Sequence, residues 1–239
     1  MTSAPRIALI HALEESVEPA RAAFQQLWPQ AYCFDLLDTS LAIDRAEAGK
    51  LDDLMVQRFL TLADYAAGSS GRGGATAGIL FTCSAFGPAI DTVKAAVSIP
   101  VLRPNEAAFD LALDQGSTFL LVVTFAPSAA SLEAELQSMA AARGKSISLR
   151  TVVVDGALDS LKAGDGATHD ALAAEAIVGA GDCDVVILGQ FSLARARGAI
   201  ERCIKTPVVT TPHSAAEAMR KLITAGRPHW KSTGAIRKV

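Results

Sequence analysis

The chain has 239 residues, enough for one large domain or two small ones around a sizeable core. Half of the residues are hydrophobic, only 5% are aromatic, and the net charge is −3. That balance speaks against a general nucleic-acid binder, which carries a basic face. No apolar run reaches the roughly 20 residues that cross a bilayer. The apolar start is broken by Glu14 and Glu15 too early for a secretory signal, so a cytoplasmic protein without membrane contacts is expected.

In chain order, the buried strands expected are "RIALIHA" (6–12), "AYCFDLLD" (31–38), "GILFTC" (78–83) and "IPVLRP" (99–104). They are followed by "TFLLVVTF" (118–125), "SLRTVVVD" (148–155), "DVVILG" (184–189) and "TPVVTT" (206–211). Between them lie helical segments such as "VEPARAAFQQLW" (17–28) and "SLEAELQSMAAARG" (131–144), the latter with Ser131 as N-cap and Gly144 as C-cap. Strands alternating with helices predict an α/β fold of parallel sheets. The glycine-rich "GSSGRGGATAG" (68–78) precedes its strand and lacks a G-K-[ST] ending, so it reads as a flexible connection, not a phosphate loop. The polar, basic tail at 226–239 reads as a surface extension.

The pattern doubles. "ILFTCSAFG" (79–87) and "VILGQFSLA" (186–194) are the same kind of strand end, and Cys83 and Gln190 lie 107 positions apart. Pro100 and Pro207, which open the strands that follow, are separated by the same 107. "FDLLDTSLA" (34–42) matches "TVVVDGALD" (151–159), and "IALIHALEES" answers "FLLVVTFAPS". Four strand ends recurring in one order predict two similar α/β lobes facing each other across a cleft.

Ligands of open parallel sheets bind beyond the carboxyl ends of the strands. The residues there are rich in hydroxyls and poor in aromatics, which suits a small carboxylate. Of the four cysteines, none forms a C-x-x-C pair or has a histidine at ligand spacing, so no metal site is expected. Cys33 reads as a packing residue, Cys183 enters its strand at the wrong end, and Cys203 falls in a helix. Cys83 ends an apolar strand and precedes a helix starting at Pro88 or as early as Ser84, where the dipole favours a thiolate. His11 and His213, also at strand ends, are candidate ligand or proton-relay groups. Arg195 and Arg197, in "LARARGAI", read as exposed helix residues, with reach to a substrate carboxylate as the alternative for Arg195.

The two-lobed pattern with a reactive strand end in each half resembles the aspartate/glutamate racemase superfamily, which includes hydantoin and allantoin racemases, maleate isomerase and arylmalonate decarboxylase. The motif "FTCSAFG" is similar to the family's first cysteine motif, and the likeness runs from "IALIHA" to "SAAEAMRKLI". The resemblance implies two lobes, 1–102 plus 209–239 and 103–208. It also implies a cofactor-independent enzyme acting on a small carboxylate or amino-acid-like substrate, and assembly through one lobe would be ordinary for such a fold.

In the family's racemases, two cysteines exchange a proton on opposite faces of the substrate carbon. Cys83 matches the first, but Gln190 stands at the second, and an amide is no ordinary acid or base near neutral pH. That departure argues against two-thiol racemisation. Three readings follow: Cys83 as sole acid/base, protonating an intermediate after decarboxylation; Cys83 paired with a water or with His213 in an isomerisation; or binding without turnover. In the first two, Thr82, Ser84, Thr124, Ser128 and Ser192 are expected to stabilise the developing negative charge.

Overall fold

The computed structural model describes residues 4–225; the basic tail expected at 226–239 lies outside them. The first half of the chain runs β1 (Arg6–His11), α1 (Val17–Leu27), β2 (Tyr32–Leu37), α2 (Ser40–Ala48), α3 (Asp53–Gly68), β3 (Ser70–Gly71), β4 (Gly74–Phe81), α4 (Gly87–Ala96) and β5 (Val101–Leu102). The second half runs α5 (Glu106–Gln115), β6 (Thr118–Val123), α6 (Ala129–Ala142), β7 (Ser148–Val153), α7 (Ala157–Lys162), α8 (Gly166–Ile177), β8 (Val185–Leu188), α9 (Arg197–Cys203), β9 (Val208–Thr210) and α10 (Thr211–Thr224).

The strands form two sheets with the same neighbour order. One is β2-β1-β4-β5, all parallel, with β3 added antiparallel to β4; the other is β7-β6-β8-β9, all parallel. The alternation of side chains along a strand explains why both sheets are covered on both faces. In β1, Ala8 and Ile10 join Phe59 and Ile90 beneath α3 and α4, while Ile7 and Leu9 pack with Phe24, Ala215 and Met219 of α1 and α10. In β6, Phe119, Leu121 and Val123 meet α5 and α6, while Leu120 and Val122 meet Ala173 and Ile200 of α8 and α9. The repeat read from the sequence is therefore a repeat of structure. Among the described residues, no helix is long and apolar enough to cross a membrane.

Two local expectations are corrected. The glycine-rich segment is a hairpin, not a flexible connection: Ser70 pairs with Ala75 and Gly71 with Gly74 around Arg72 and Gly73. Gly73 and Gly74 have φ of +86° and +84°, conformations that favour glycine, and a Cβ on Gly73 would come within 2.9 Å of the Ala4 carbonyl oxygen. Arg6 fastens the turn by donating to the Arg72 carbonyl and the Ser69 hydroxyl. Ser131 is not an N-cap, because a 3-10 turn over Ala126–Ser128 feeds directly into α6 and puts Ser128 in that position. The helix after Cys83 starts at Gly87, within one residue of the expected Pro88, and the earlier alternative at Ser84 is a 3-10 turn, Ser84–Phe86.

Candidate functional site

A cavity of about 800 Å³ opens between the carboxyl ends of the two sheets. Thr82, Cys83 and Ser84 line it from the end of β4; Thr124, Gln190 and Ser192 line it from the ends of β6 and β8. Cys83 and Gln190, equivalent in the repeat, thus face one space. The short turns that carry the strand ends are duplicated as well. The Ser16 hydroxyl donates to the Leu13 carbonyl at 2.7 Å, and the Ser128 hydroxyl, 112 positions on, donates to the Phe125 carbonyl at 2.8 Å.

The amide of Gln190 is held in one orientation. Its Oε1 accepts from both the backbone N–H and the hydroxyl of Thr124, each at 2.7 Å. A backbone N–H can only donate, so the oxygen must lie on that side. Nε2 donates to Ser128 Oγ at 3.2 Å, and its second N–H has no partner among the described residues. A half-buried amide at the cavity wall with a spare donor is equipped to bind an oxygen of a ligand, and it carries no transferable proton.

Gly189, the residue before Gln190, has no room for a side chain: a Cβ would lie 2.9 Å from Leu121 Cδ1 and 3.2 Å from the Val122 carbonyl oxygen. Its own carbonyl accepts from Nδ2 of the wholly buried Asn105 at 2.6 Å. Asn105→Ala is therefore expected to cost about 1–3 kcal/mol of stability, since it strands that buried carbonyl. Urea denaturation of the variant measures the loss; an unchanged midpoint would contradict it.

Cys83 is half-buried at the cavity wall. The expected thiolate is not what the surroundings favour. Burial pushes the thiol up to about 11, and the Ala85 backbone N–H directed at the sulfur offsets only part of that. A 3-10 turn, Ser84–Phe86, follows the sulfur, and its few peptide units supply little dipole to set against that burial. The other thiols fit the sequence reading. Cys33 lies in β2, with its thiol raised to about 12 by burial, and Cys203 is exposed at the end of α9.

Three of the expected site residues do not line the cavity. Ser128 is buried behind Gln190, and His11 is wholly buried at the end of β1. His213 is bonded at Nδ1 to Thr210 Oγ1, at 2.8 Å, and at Nε2 to Gln26 Oε1, at 3.1 Å. Burial and the nearby Arg197 charge lower its pKa, so it is occupied and neutral near pH 7 rather than poised beside Gln190. Arg195 does not reach a ligand either, because it is paired with Asp170.

Two cationic cavity residues were missed by sequence reasoning: Arg45 on α2 and Lys162 on α7. They are 117 positions apart, the same offset that relates Asp38 to Asp155 and Leu41 to Leu158. Extending the matched segments by a few residues would have found them. Neither makes an ion pair among the described residues, and the Nε of Arg45 is buried without a hydrogen-bond partner. Glu15 and Glu47 also border the cavity, so it is charged at its rim without being uniformly positive. Among the described residues no three His, Cys, Asp or Glu side chains converge as metal ligands.

This architecture has solved counterparts. Glutamate racemase isoform RacE1 from Bacillus anthracis superposes with a TM-score of 0.70 at 13% identity, over 95% of this chain and 84% of that one. Allantoin racemase from Klebsiella pneumoniae gives 0.69 at 15% identity, over 98% and 95%. Aspartate racemase from Picrophilus torridus gives 0.69 at 14% identity, over 92% and 94%. At such identities these likenesses speak to the fold. No curated protein sequence matches the chain significantly. The family model described as Asp/Glu/Hydantoin racemase, however, matches residues 9–219, nearly all of the described structure. The chain belongs to the Asp/Glu/hydantoin racemase family.

Proposed function

We propose that the protein is a cofactor-independent enzyme of the racemase family that moves a proton at the carbon next to a carboxyl group, with Cys83 as its acid/base. The observation that carries this reading is the pairing of Cys83 with Gln190 across one cavity, at equivalent strand ends, with only the first able to exchange a proton. The spare N–H of Gln190 and the Ser84 and Ser192 hydroxyls would hold the negative charge that develops on the substrate oxygens. The division into lobes 1–102 plus 209–239 and 103–208 belongs to the same reading, with the cavity between them.

Gln190 also favours a second reading. Racemisation needs a proton on each face of the carbon, whereas decarboxylation followed by protonation needs only one. A thiol that rests protonated suits the second case, since it begins as the acid. Incubation in D₂O with aspartate, glutamate, hydantoins and substituted malonates separates the two by chiral analysis and CO₂ release. Binding without exchange, inversion or CO₂ from any of these would remove both.

Arg45 and Lys162 extend the proposal to the substrate. Two cations from equivalent helices border one cavity, which suits a molecule with a second anionic group remote from the reacting carbon. A charge-assisted hydrogen bond is worth about 1.5–3 kcal/mol, so Arg45→Ala or Lys162→Ala should raise KM roughly 10- to 100-fold with a smaller change in kcat. Steady-state kinetics on dicarboxylates against their monoamides would read this; an equal effect on both would count against a second anionic group.

A further inference from the structure

Behind the cavity wall on the Cys83 side lies a chain of polar groups that the proposed chemistry has not yet used. His11 Nε2 lies 3.0 Å from Asp35 Oδ1, and Asp35 Oδ2 accepts from Arg21 Nε at 2.8 Å. On its other side, His11 Nδ1 lies 2.9 Å from Thr82 Oγ1 and 3.2 Å from Ser16 Oγ. Thr82 and Ser16 both line the cavity, and Thr82 is the residue before Cys83. Burial pushes the Asp35 carboxyl up, but the hydrogen bonds from His11 and Arg21 outweigh this and hold it below the usual carboxylate range. An ionised Asp35 accepts only, so Nε2 of His11 must carry a hydrogen. Ser16 spends its proton on the Leu13 carbonyl. The hydroxyl that can donate to a bare Nδ1 is then that of Thr82, whose Oγ1 lies 2.9 Å from Nδ1 and 3.3 Å from its other acceptor, the Ile10 carbonyl.

We propose that Asp35, His11 and Thr82 form a relay that takes up the proton of Cys83 and returns it, an inference that rests on the reading of Cys83 as the acid/base. The steps balance. The Sγ–H bond of Cys83 breaks and its proton passes to a cavity water, which gives one of its own to Thr82 Oγ1; Thr82 passes its original proton to Nδ1. The result is a thiolate and an imidazolium, with water and hydroxyl restored. Asp35, bonded to Nε2 at 3.0 Å, fixes the ring with Nδ1 turned toward Thr82, as a carboxylate orients a catalytic histidine. Thr82, His11 and Asp35 act here as positioning and relay residues, since none of the three is placed on the substrate carbon. The arrangement supplies what a buried thiol lacks, a base reached through groups already ordered.

Iodoacetamide tests the relay without any substrate, because it alkylates only the thiolate. The rate at Cys83 is followed near neutral pH by peptide mass spectrometry. Thr82→Val keeps the shape of the side chain and removes the hydroxyl, while Thr82→Ser keeps the hydroxyl and removes a methyl. The relay predicts a drop of about tenfold or more in Thr82→Val and Asp35→Asn, with Thr82→Ser within about twofold of the parent. A purely packing role predicts the reverse order for the two Thr82 variants. Thr82→Val alkylating like the parent, or Thr82→Ser falling as far as Thr82→Val, would overturn the relay, and this pair decides even where Asp35→Asn unfolds. The reading of Cys83 is judged separately: if Cys83→Ala keeps proton exchange on substrate, that reading fails whatever the alkylation rates show.

Discussion

Cys83→Ala is expected to abolish deuterium incorporation into substrate, lowering the exchange rate by at least about 10³-fold, within the range that a proton-transferring side chain contributes. The cavity offers few proton carriers. Of the strand-end groups that line it, only Cys83 can both give and take a proton under ordinary conditions; Thr82, Ser84, Thr124 and Ser192 are hydroxyls, and Gln190 is an amide. The bordering ionisable groups, Glu15, Arg45, Glu47 and Lys162, come from the turn after β1 and from α2 and α7, not from the ends of β4 and β8. Burial pushes the thiol up, so it rests protonated near pH 7. The resting thiol is the acid a carbanion needs; to act as a base it must first lose its proton. Cys83→Ser should recover little, because a hydroxyl is a far weaker acid than a thiol. Deuterium NMR of the product reads the loss, and intact folding of Cys83→Ala by thermal melting assigns it to chemistry. Exchange persisting in that variant within tenfold of the parent would transfer the role to another group.

What the sequence disclosed follows from which features are local. Strand ends in a parallel sheet show as apolar runs that stop at a polar residue, so the pairing of Cys83 with Gln190 was readable from spacing, and the two sheets then fell into one order. Asp35 was not readable as a partner for His11. It sits inside "YCFDLL", and only the parallel pairing of β1 with β2 brings it beside the histidine. The state of Cys83 is hidden from the sequence for a related reason: a helix start is visible there, whereas burial and the 3-10 geometry of the turn are not. His213 and Arg195 stand near strand ends in the chain, yet both are already satisfied by Thr210, Gln26 and Asp170, partners too distant in sequence or too ordinary to signal themselves. Arg45 and Lys162 lay within reach of the repeat, beyond the point where their apolar neighbours made the match obvious.

Gln190→Cys is expected to turn one-face chemistry into inversion. The variant puts a thiol at the strand end equivalent to Cys83, on the opposite side of the cavity, where the parent has a fixed amide. The Thr124 N–H and hydroxyl that bind the amide oxygen at 2.7 Å lose that acceptor in the variant. Donors of this kind favour the charged form of an acid, so the new thiol should ionise more readily than Cys83 does in its drier surroundings. A second proton-transfer group contributes about 10²–10⁴-fold, so interconversion of enantiomers should rise from background by at least about 10²-fold, read by chiral chromatography. The double variant Cys83→Ala with Gln190→Cys sharpens the argument. It keeps one thiol but moves it across the substrate carbon, so the deuterated product should have the handedness opposite to that of the parent. The same handedness from both proteins would mean that the two strand ends do not address opposite faces of one carbon, and the amide at 190 would then have to be explained by binding alone.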